Sequence, residues 1–124
     1  MDKINFDFKN RNAIITGGAQ GFGLDIARRF LKSGAKVIIW DIDSEMIDKA
    51  KKILNNLNLS SNIIDVSNYK EVENCTSEIL KKTNIDILIN NAGITGPTAS
   101  LWEYDIEMWK KVVDINLMGT FNCC

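Results

Sequence analysis

The sequence predicts a doubly wound α/β fold, in which a parallel sheet is covered by helices on both faces. Four short apolar segments rich in β-branched residues alternate with four segments whose apolar residues recur every three or four positions. The connections are short, and no linker or low-complexity tract interrupts the alternation. Strands that alternate with helices are parallel, because each helix returns the chain to the starting edge of the sheet. The length of 124 residues suits a single domain over 1–124.

The first two units are defined by apolar strands followed by helical spacing. A strand at 13–16 leads into a helix at about 20–33, which Gly34 caps at its C-terminus. A strand at 36–40 leads into a helix with Ser44 as its N-cap. The residues expected to face inward are Leu24, Ala27 and Leu31 with Ile26 and Phe30 beside them, and then Met46, Ala50, Ile53 and Leu57.

The third and fourth units repeat this pattern. A short strand at 62–65 precedes a helix at about 68–82, and a strand at 85–90 precedes a glycine-containing loop and a helix that starts near Asp105. The inward residues predicted here are Val72, Ile79 and Leu80, followed by Trp109, Val113 and Leu117.

Composition excludes several classes of function. The net charge is −1 without blocks of like charge, which argues against nucleic acid or an anionic membrane as a partner. No apolar run approaches the ~20 residues that span a bilayer, and charges within 1–7 leave no core for an export signal. With no histidine and three cysteines outside CxxC spacing, we expect no metal site, incidental or buried thiols, and a cytoplasmic location.

A glycine loop follows the first strand and carries the strongest local signal. The sequence reads Thr16-Gly17-x-x-x-Gly21-x-Gly23, with a helix beginning inside it. Glycines allow backbone N–H groups to approach a pyrophosphate, and the N-terminus of the helix adds unpaired donors and partial positive charge. A plain strand-to-helix turn is the alternative explanation for the glycines alone.

Acidic residues follow the second and third strands. Asp41 comes 18 positions after Gly23, where a carboxylate accepts hydrogen bonds from the ribose hydroxyls of a dinucleotide. It would repel a 2′-phosphate, and no Lys or Arg occurs at 18–20 or 42–44, so NAD is favoured over NADP. Asp65 follows the third strand and would face the same crevice. Alternatively, Asp41 caps a turn and Asp65 is an ordinary loop residue.

These features, taken with two later ones, resemble the short-chain dehydrogenase/reductase family. Its TGxxxGxG fingerprint matches residues 16–23, its Asp-Val pair matches Asp65-Val66, and its NNAG motif matches Asn90-Asn91-Ala92-Gly93. Asn116 matches an asparagine that kinks a helix in the family, although an exposed polar position is the other explanation. The resemblance covers the whole chain and implies a Rossmann-type sheet of about four strands in the order 3-2-1-4.

The resemblance also assigns roles to particular residues. Thr16 is expected to bond back to the asparagine loop, and Asn116 to position a water in a proton relay. The expected cofactor-binding residues are Gly17, Ala19, Gln20, Gly21, Phe22, Gly23, Asp41, Ile42, Asp65, Val66, Asn91, Ala92 and Gly93. Residues 93–97 and 102–104 look most like 3-oxoacyl-carrier-protein reductases or sugar dehydrogenases of the family. The implied function is hydride transfer between NAD and a small-molecule secondary alcohol or ketone, in a full-length homo-oligomer.

One part of the family pattern is missing from this sequence. Members carry a catalytic Ser and a Tyr-x-x-x-Lys after the helix that holds Asn116, whereas Tyr69 is followed four positions on by Glu73, and Tyr104 by Met108. We therefore expect a truncated and inactive piece of an enzyme of roughly twice the length. The alternatives are a non-enzymatic module that senses NAD and, less favoured by the Asn90–Gly93 motif, another dinucleotide or methyl-donor enzyme.

Overall fold

The computed structural model describes residues 5–124. The prediction that no export signal is present rests on residues 1–7, and the first four of these lie outside the described range. Strands and helices alternate along the chain. The elements are β1 (Asn12–Thr16), α1 (Gly21–Lys32), β2 (Lys36–Asp41), α2 (Ser44–Leu54), β3 (Leu59–Ile63), α3 (Tyr69–Leu80), β4 (Ile87–Ile89), a 3₁₀ turn (Leu101–Glu103), α4 (Ile106–Val113), a π-helical turn (Asp114–Met118) and α5 (Gly119–Cys123).

The four strands form one parallel sheet in the order β3-β2-β1-β4, which confirms the predicted topology. β1 lies between β2 and β4, and its residues Ala13 to Thr16 are all buried. One core cluster packs α1 and α2 against one face of the sheet and contains Ile15, Ile39 and Ala27. A second cluster, around Trp40 and Val72, packs α3 and the end of α5 against the other face. Helices therefore cover both faces, as a parallel sheet requires.

Three predicted helix faces are wrong in part. On α2 the buried residues are Ile47 and Ala50, whereas Ile53 and Leu57 are exposed, because the helix ends at Leu54 and Ile47 occupies the inward position. On α3 Val72 is buried but Leu80 is exposed at the last helical residue. On the predicted fourth helix, Trp109 of α4 is 48% exposed and Leu117 of the π turn is 65% exposed, so neither belongs to a core of the described residues.

Three boundaries also differ from the prediction. β4 covers only Ile87–Ile89 of the expected 85–90. β3 pairs with β2 from Leu59 to Ile63, earlier than the expected 62–65, because the ladder continues through the polar residues Ser60, Ser61 and Asn62. The N-cap of α2 is Asp43, whose carboxylate accepts a hydrogen bond from the Met46 amide at 3.0 Å, and Ser44 is the first helical residue. Side chains cap α3 and α4 in the same way, through Asn68 and Asp105.

The last helical stretch contains a local change of pitch. α4, the π turn and α5 follow one another without a break, and the π turn, centred on Asn116, widens the helix at that point. A π turn inserts one extra residue into a helix and is a common cause of a kink. The π turn therefore lies where the resemblance implied a kink, at Asn116.

Candidate functional site

A cleft of about 300 Å³ lies beyond the carboxyl ends of the four strands. It sits where the chain, having added β2 and β3 on one side of β1, crosses over to place β4 on the other. In open parallel sheets, ligands bind at this kind of reversal in strand order. The residues that line it are Gly17, Gln20, Trp40, Asp41, Ile42, Ile64, Asp65, Val66, Asn91, Ala92, Gly93, Ile94 and Ile115.

The glycine loop forms one wall of the cleft and leads directly into α1. Gly17 and Gly21 both have positive φ, at 62° and 54°. Gly23 has no room for a side chain, since a Cβ there would lie 2.2 Å from the Gly17 carbonyl oxygen. The loop is therefore compact, and its backbone can approach a ligand that a side chain would hold away.

The N-terminus of α1 differs from those of the other long helices. No side chain caps it, and no acidic residue lies in its first turn. α2, α3 and α4 each have a capping side chain and an acidic residue in the first turn. The first N–H groups of α1 and its partial positive charge are thus available to an anion, which is the arrangement that binds phosphate.

Thr16 and Asn91 fasten the glycine loop to the loop after β4. The Thr16 hydroxyl accepts hydrogen bonds from the Asn91 amide at 3.0 Å and from the Ala92 amide at 2.9 Å. In return, the Asn91 side-chain Nδ2 donates to the carbonyl oxygens of Thr16 and Gly17, both at 3.0 Å. Four hydrogen bonds therefore fix the distance between the two loops, and Thr16 makes the bond to the asparagine loop that the resemblance implied.

Asp41 lies at the tip of β2 and is 8% exposed. Its Oδ2 accepts a hydrogen bond from the Ala19 amide at 3.1 Å, and its Oδ1 accepts one from the Asp43 amide at 3.2 Å. A carboxylate can accept about four hydrogen bonds, so both oxygens retain capacity for further donors. The carboxylate is held in place against the glycine loop, and no Lys or Arg is among the residues that line the cleft in the described chain.

Asp65 and Val66 form the opposite wall, two and three residues beyond the end of β3. The Asp65 Oδ1 accepts hydrogen bonds from the Ser67 amide at 2.9 Å and the Ser67 hydroxyl at 2.6 Å. The Asp65 amide donates to a carboxylate oxygen of Glu71 at 3.0 Å. These bonds tie the loop to the start of α3 and leave the Asp65 Oδ2 available to a ligand.

Asn116 does not line the cleft but holds a residue that does. Its Oδ1 accepts a hydrogen bond from the Ile94 amide at 2.8 Å, and its Nδ2 donates to the Ile94 carbonyl oxygen at 2.9 Å. Both ends of the amide side chain are thus engaged by one peptide segment of the loop after β4. The proton-relay role of Asn116 stays a prediction.

The cleft gathers nine of the residues predicted to bind the cofactor, and four lie around it. Ala19 of the loop is buried in the core, Gly23 packs against Gly17, and Gly21 and Phe22 are exposed at the start of α1. Four lining residues were not predicted: Trp40, Ile64, Ile94 and Ile115. Trp40 lies at the carboxyl end of β2 and Ile64 directly after β3, and this position alone could have predicted that they line the cleft. Ile94 and Ile115 carried no sequence signal, because each depends on how the last helix docks.

The cysteines and acidic residues indicate no second reactive centre. Burial raises the pKa of the Cys75 thiol, and burial together with the neighbouring Cys124 raises the pKa of Cys123 to about 11. Both thiols are therefore protonated at neutral pH and poor nucleophiles. Within residues 5–124, no three His, Cys, Asp or Glu side chains gather as they would around a metal ion. None of the helices described over this range is long and apolar enough to cross a bilayer.

Comparison with known proteins gives one consistent family. The sequence profile described as short chain dehydrogenase matches residues 11–124. The chain is 33% identical over 117 residues to the NAD(+)-dependent 2-dehydro-3-deoxy-L-rhamnonate dehydrogenase of a Sphingomonas species, covering 94% of this chain and 46% of that protein. It is 41% identical over 115 residues to the 3-oxoacyl-[acyl-carrier-protein] reductase FabG of Rickettsia typhi, covering 93% and 46%. The chain thus spans about half the length of these curated relatives.

Solved structures agree. A short-chain dehydrogenase/reductase of the glucose/ribitol dehydrogenase type from Brucella melitensis superposes with a TM-score of 0.90 at 29% identity, over 98% of this chain and 52% of that one. A short-chain dehydrogenase from Novosphingobium aromaticivorans superposes with a TM-score of 0.88 at 31% identity, over 94% and 44%.

Proposed function

This chain belongs to the short chain dehydrogenase family, and on that premise we propose that its protein transfers hydride between NAD and a secondary alcohol or ketone. The observation that carries the proposal is the single cleft that joins an uncapped helix N-terminus to a buried carboxylate. A dinucleotide offers both a pyrophosphate and a ribose diol. The uncapped N-terminus of α1 would bind the pyrophosphate, and the buried carboxylate would bind the ribose diol.

The residues of the cleft fit such a cofactor in order. In the proposal, the glycine loop and the first turn of α1 bind the pyrophosphate through main-chain N–H groups. Asp41 accepts hydrogen bonds from the adenosine ribose, beside Ile42. Asp65 and Val66 contact the adenine edge. Asn91, Ala92 and Gly93 lie along the path to the second ribose, where the absence of bulky side chains leaves room for it.

The chemistry of the reaction is divided between cofactor and protein. NAD, when bound, supplies the carbon that accepts or gives hydride. The residues of this chain bind and orient it, and Asn116 holds the loop at Ile94 that borders the far end of the cleft. The family resemblance assigns proton exchange to a Ser and a Tyr-x-x-x-Lys, and these 124 residues contain no Tyr-x-x-x-Lys. The activity is therefore proposed for the protein as a whole, with residues 1–124 as its NAD-binding domain.

The substrate class is proposed from the relatives. The printed names of two of them describe a dehydrogenase of a sugar acid and a reductase of a 3-oxoacyl group. Both reactions interconvert a secondary alcohol and a ketone, so we propose a small 3-oxoacyl or sugar-like substrate. The exposed apolar residues of α4 and α5 support a homo-oligomer, and the free thiols of all three cysteines support a cytoplasmic location.

Replacing Asp41 with Ala tests the choice of cofactor. The carboxylate favours NAD through its ribose hydroxyls and repels the 2′-phosphate of NADP. In the Asp41→Ala variant, we expect the ratio of kcat/KM for NAD to that for NADP to fall by about tenfold or more, as loss of one charged hydrogen-bonding group implies. Steady-state kinetics of the protein at its native length, with both cofactors, measures this ratio.

Asp48→Ala is the matched control, since Asp48 lies on the exposed side of α2, outside the cleft. It should leave the ratio unchanged. An unchanged ratio in Asp41→Ala would remove Asp41 from its proposed role. If the wild-type protein binds neither NAD nor NADP in a calorimetric titration, the whole proposal fails.

The second candidate is a non-enzymatic module that binds NAD and reports its level. The absence of Tyr-x-x-x-Lys from these residues favours it. The two candidates separate in one experiment, in which the protein at its native length is titrated with NAD and then assayed with ketone and alcohol panels. Binding without turnover supports the sensing module, and turnover excludes it.

A further inference from the structure

We propose that Asn122, on α5, is a positioning residue for the adenosine end of the cleft. It would hold the loop at residues 65–67 in the position that receives the adenine ring. This inference rests on the proposed function, because it takes that loop as the adenine-binding wall. The evidence lies in two contacts that α5 makes with the loop.

The first contact is a shared hydrogen bond. Asn122 Nδ2 donates to the carbonyl oxygen of Val66 at 2.9 Å and to that of Ser67 at 3.3 Å. These two carbonyls lie between the end of β3 and the start of α3, where no sheet ladder or helix fixes the chain. A partly buried amide donor at this point therefore fixes the loop by direct bonds to its main chain.

The second contact comes from the same helix three residues earlier. Gly119 is buried, and a Cβ at that position would lie 2.7 Å from the Val66 Cγ2. The backbone of α5 thus rests directly on the Val66 side chain. Gly119 sets how closely the helix approaches the loop, and Asn122 sets how the loop is turned against the helix.

The hydrogen bonds within the loop at residues 65–67 do not position it against the loop after β4. The Asp65 carboxylate bonds to Ser67, and Glu71 bonds to the Asp65 amide, so these interactions shape the loop against α3. The Ile64 amide donates to the Asp41 carbonyl oxygen at 2.9 Å and ties the start of the loop to β2. None of these bonds joins residues 66 and 67 to the loop after β4. That relation comes from the last helical stretch, because Asn116 holds Ile94 on one wall and Asn122 holds Val66 on the other.

The π turn explains how one helical stretch reaches both walls. It lies between α4 and α5 and inserts one extra residue, which rotates the following helix by roughly 100° relative to a regular one. Asn116 lies inside the turn, and Gly119 and Asn122 lie just after it, three residues apart and so on one face. The last helical stretch therefore joins the Val66 loop, at the adenosine end of the cleft, to the Ile94 loop at its far end.

The test replaces Asn122 with Asp in the protein at its native length. The Asp side chain keeps the shape, removes the donor and places an oxygen against two carbonyl oxygens. We expect the affinity for AMP, measured by calorimetry, to fall about tenfold, the size of one lost hydrogen bond. The inhibition constant of nicotinamide mononucleotide should not change. In turnover, KM for NAD should rise while kcat stays the same.

Two further variants make the test decisive. Asn74→Asp is the matched control, because Asn74 lies on the exposed side of α3 and the same substitution there should leave AMP affinity unchanged. Asn122→Gln keeps an amide donor and should recover part of the affinity. If Asn122→Asp does not fold, Asn122→Leu replaces it, since Leu removes the donor without adding repulsion.

The outcomes separate the two proposals. Unchanged AMP affinity in Asn122→Asp and Asn122→Leu overturns this inference and leaves the proposed function standing. Equal losses for AMP and nicotinamide mononucleotide also overturn it, since they indicate general destabilisation. If the wild-type protein binds NAD but no AMP, the inference alone fails, and if it binds neither, both the inference and the proposed function fail.

Discussion

A single hydroxyl group joins the two loops that border the cleft. Thr16 is 1% exposed and accepts hydrogen bonds from two successive amides, those of Asn91 and Ala92. The hydroxyl of a side chain at the end of a buried strand thus replaces a main-chain carbonyl as the acceptor for these amides, at the point where the two strands stop pairing. Since β1 and β4 diverge beyond this point, no ladder could satisfy these amides.

Replacing Thr16 with Val should therefore destabilise the protein. Val has the same shape but no oxygen, so two partly buried amides lose their acceptor. We expect the free energy of unfolding to fall by about 1 to 2 kcal/mol, since each lost hydrogen bond contributes about 1 kcal/mol. Urea denaturation measures the change, with Thr98→Val in the exposed loop as the control. A loss no greater than that of the control would show that the hydroxyl is dispensable.

The sequence identified the polar residues of the site better than the apolar ones. The spacing from Gly23 pointed to Asp41, and strand ends pointed to Asp65 and Asn91, because chemistry and position both constrain such residues. Ile94 and Ile115 were not predicted to line the cleft. An isoleucine carries no chemical signature, and its place in the cleft depends on the docking of the last helix. Asn122 is polar and was also not predicted, because its contact with the loop at Val66 depends on the docking of the last helix.

At the scale of elements, helical periodicity predicted the order of helices and strands but not each boundary. β3 runs through Ser60, Ser61 and Asn62, which an edge strand tolerates because one of its sides pairs with β2 and the other lies open. Apolar pattern alone therefore placed this strand too late in the chain. Leu117 and Trp109 were misplaced for another reason. Helical spacing shows that an apolar face exists, and it does not show what covers that face.

The start of β4 is tied to β1 by a carboxylate. Asp86 accepts a hydrogen bond from the Asn12 amide at 2.8 Å and pairs with Arg11 at 3.4 Å. The Asn12 amide, with the Arg11 guanidinium, holds the pKa of Asp86 below its ordinary value of 3.8. A lowered pKa in the folded state means that the stabilisation is present above about pH 4 and is lost as the pH falls through the folded-state pKa.

Replacing Asp86 with Asn should remove this pH-dependent contribution. At pH 7 we expect the variant to be less stable than the wild type, and the difference should shrink as the pH falls toward 2. Urea denaturation followed by circular dichroism at several pH values checks the trend. Asp48→Asn, on the exposed face of α2, corrects for the change in net charge. A difference that stays constant with pH would show that the Asp86 charge does not support β4.

At the scale of the whole molecule, the faces of the sheet are covered and its edges are open. Helices cover both faces, while β3 and β4 each have one hydrogen-bonded neighbour within the described residues. The exposed apolar side chains concentrate in the last quarter of this range: Leu101, Trp102, Ile106, Trp109, Leu117, Met118 and Phe121. An apolar surface of this kind marks an interaction site. The proposed homo-oligomer would bury part of it.

Charged substitutions on α5 and the turn before it test that proposal. Leu117 and Phe121 are four residues apart, so they lie near each other on one side of the helix, and they are 65% and 70% exposed. Because burying an unpaired ammonium is costly, the double variant Leu117→Lys and Phe121→Lys should lower the mass measured by sedimentation velocity to that of one chain. Leu57→Lys, at a fully exposed position after α2, should leave the mass unchanged. A double variant that keeps the wild-type mass would place the contact between copies elsewhere on the surface, since two lysines at the centre of an apolar interface cannot be accommodated without separating it.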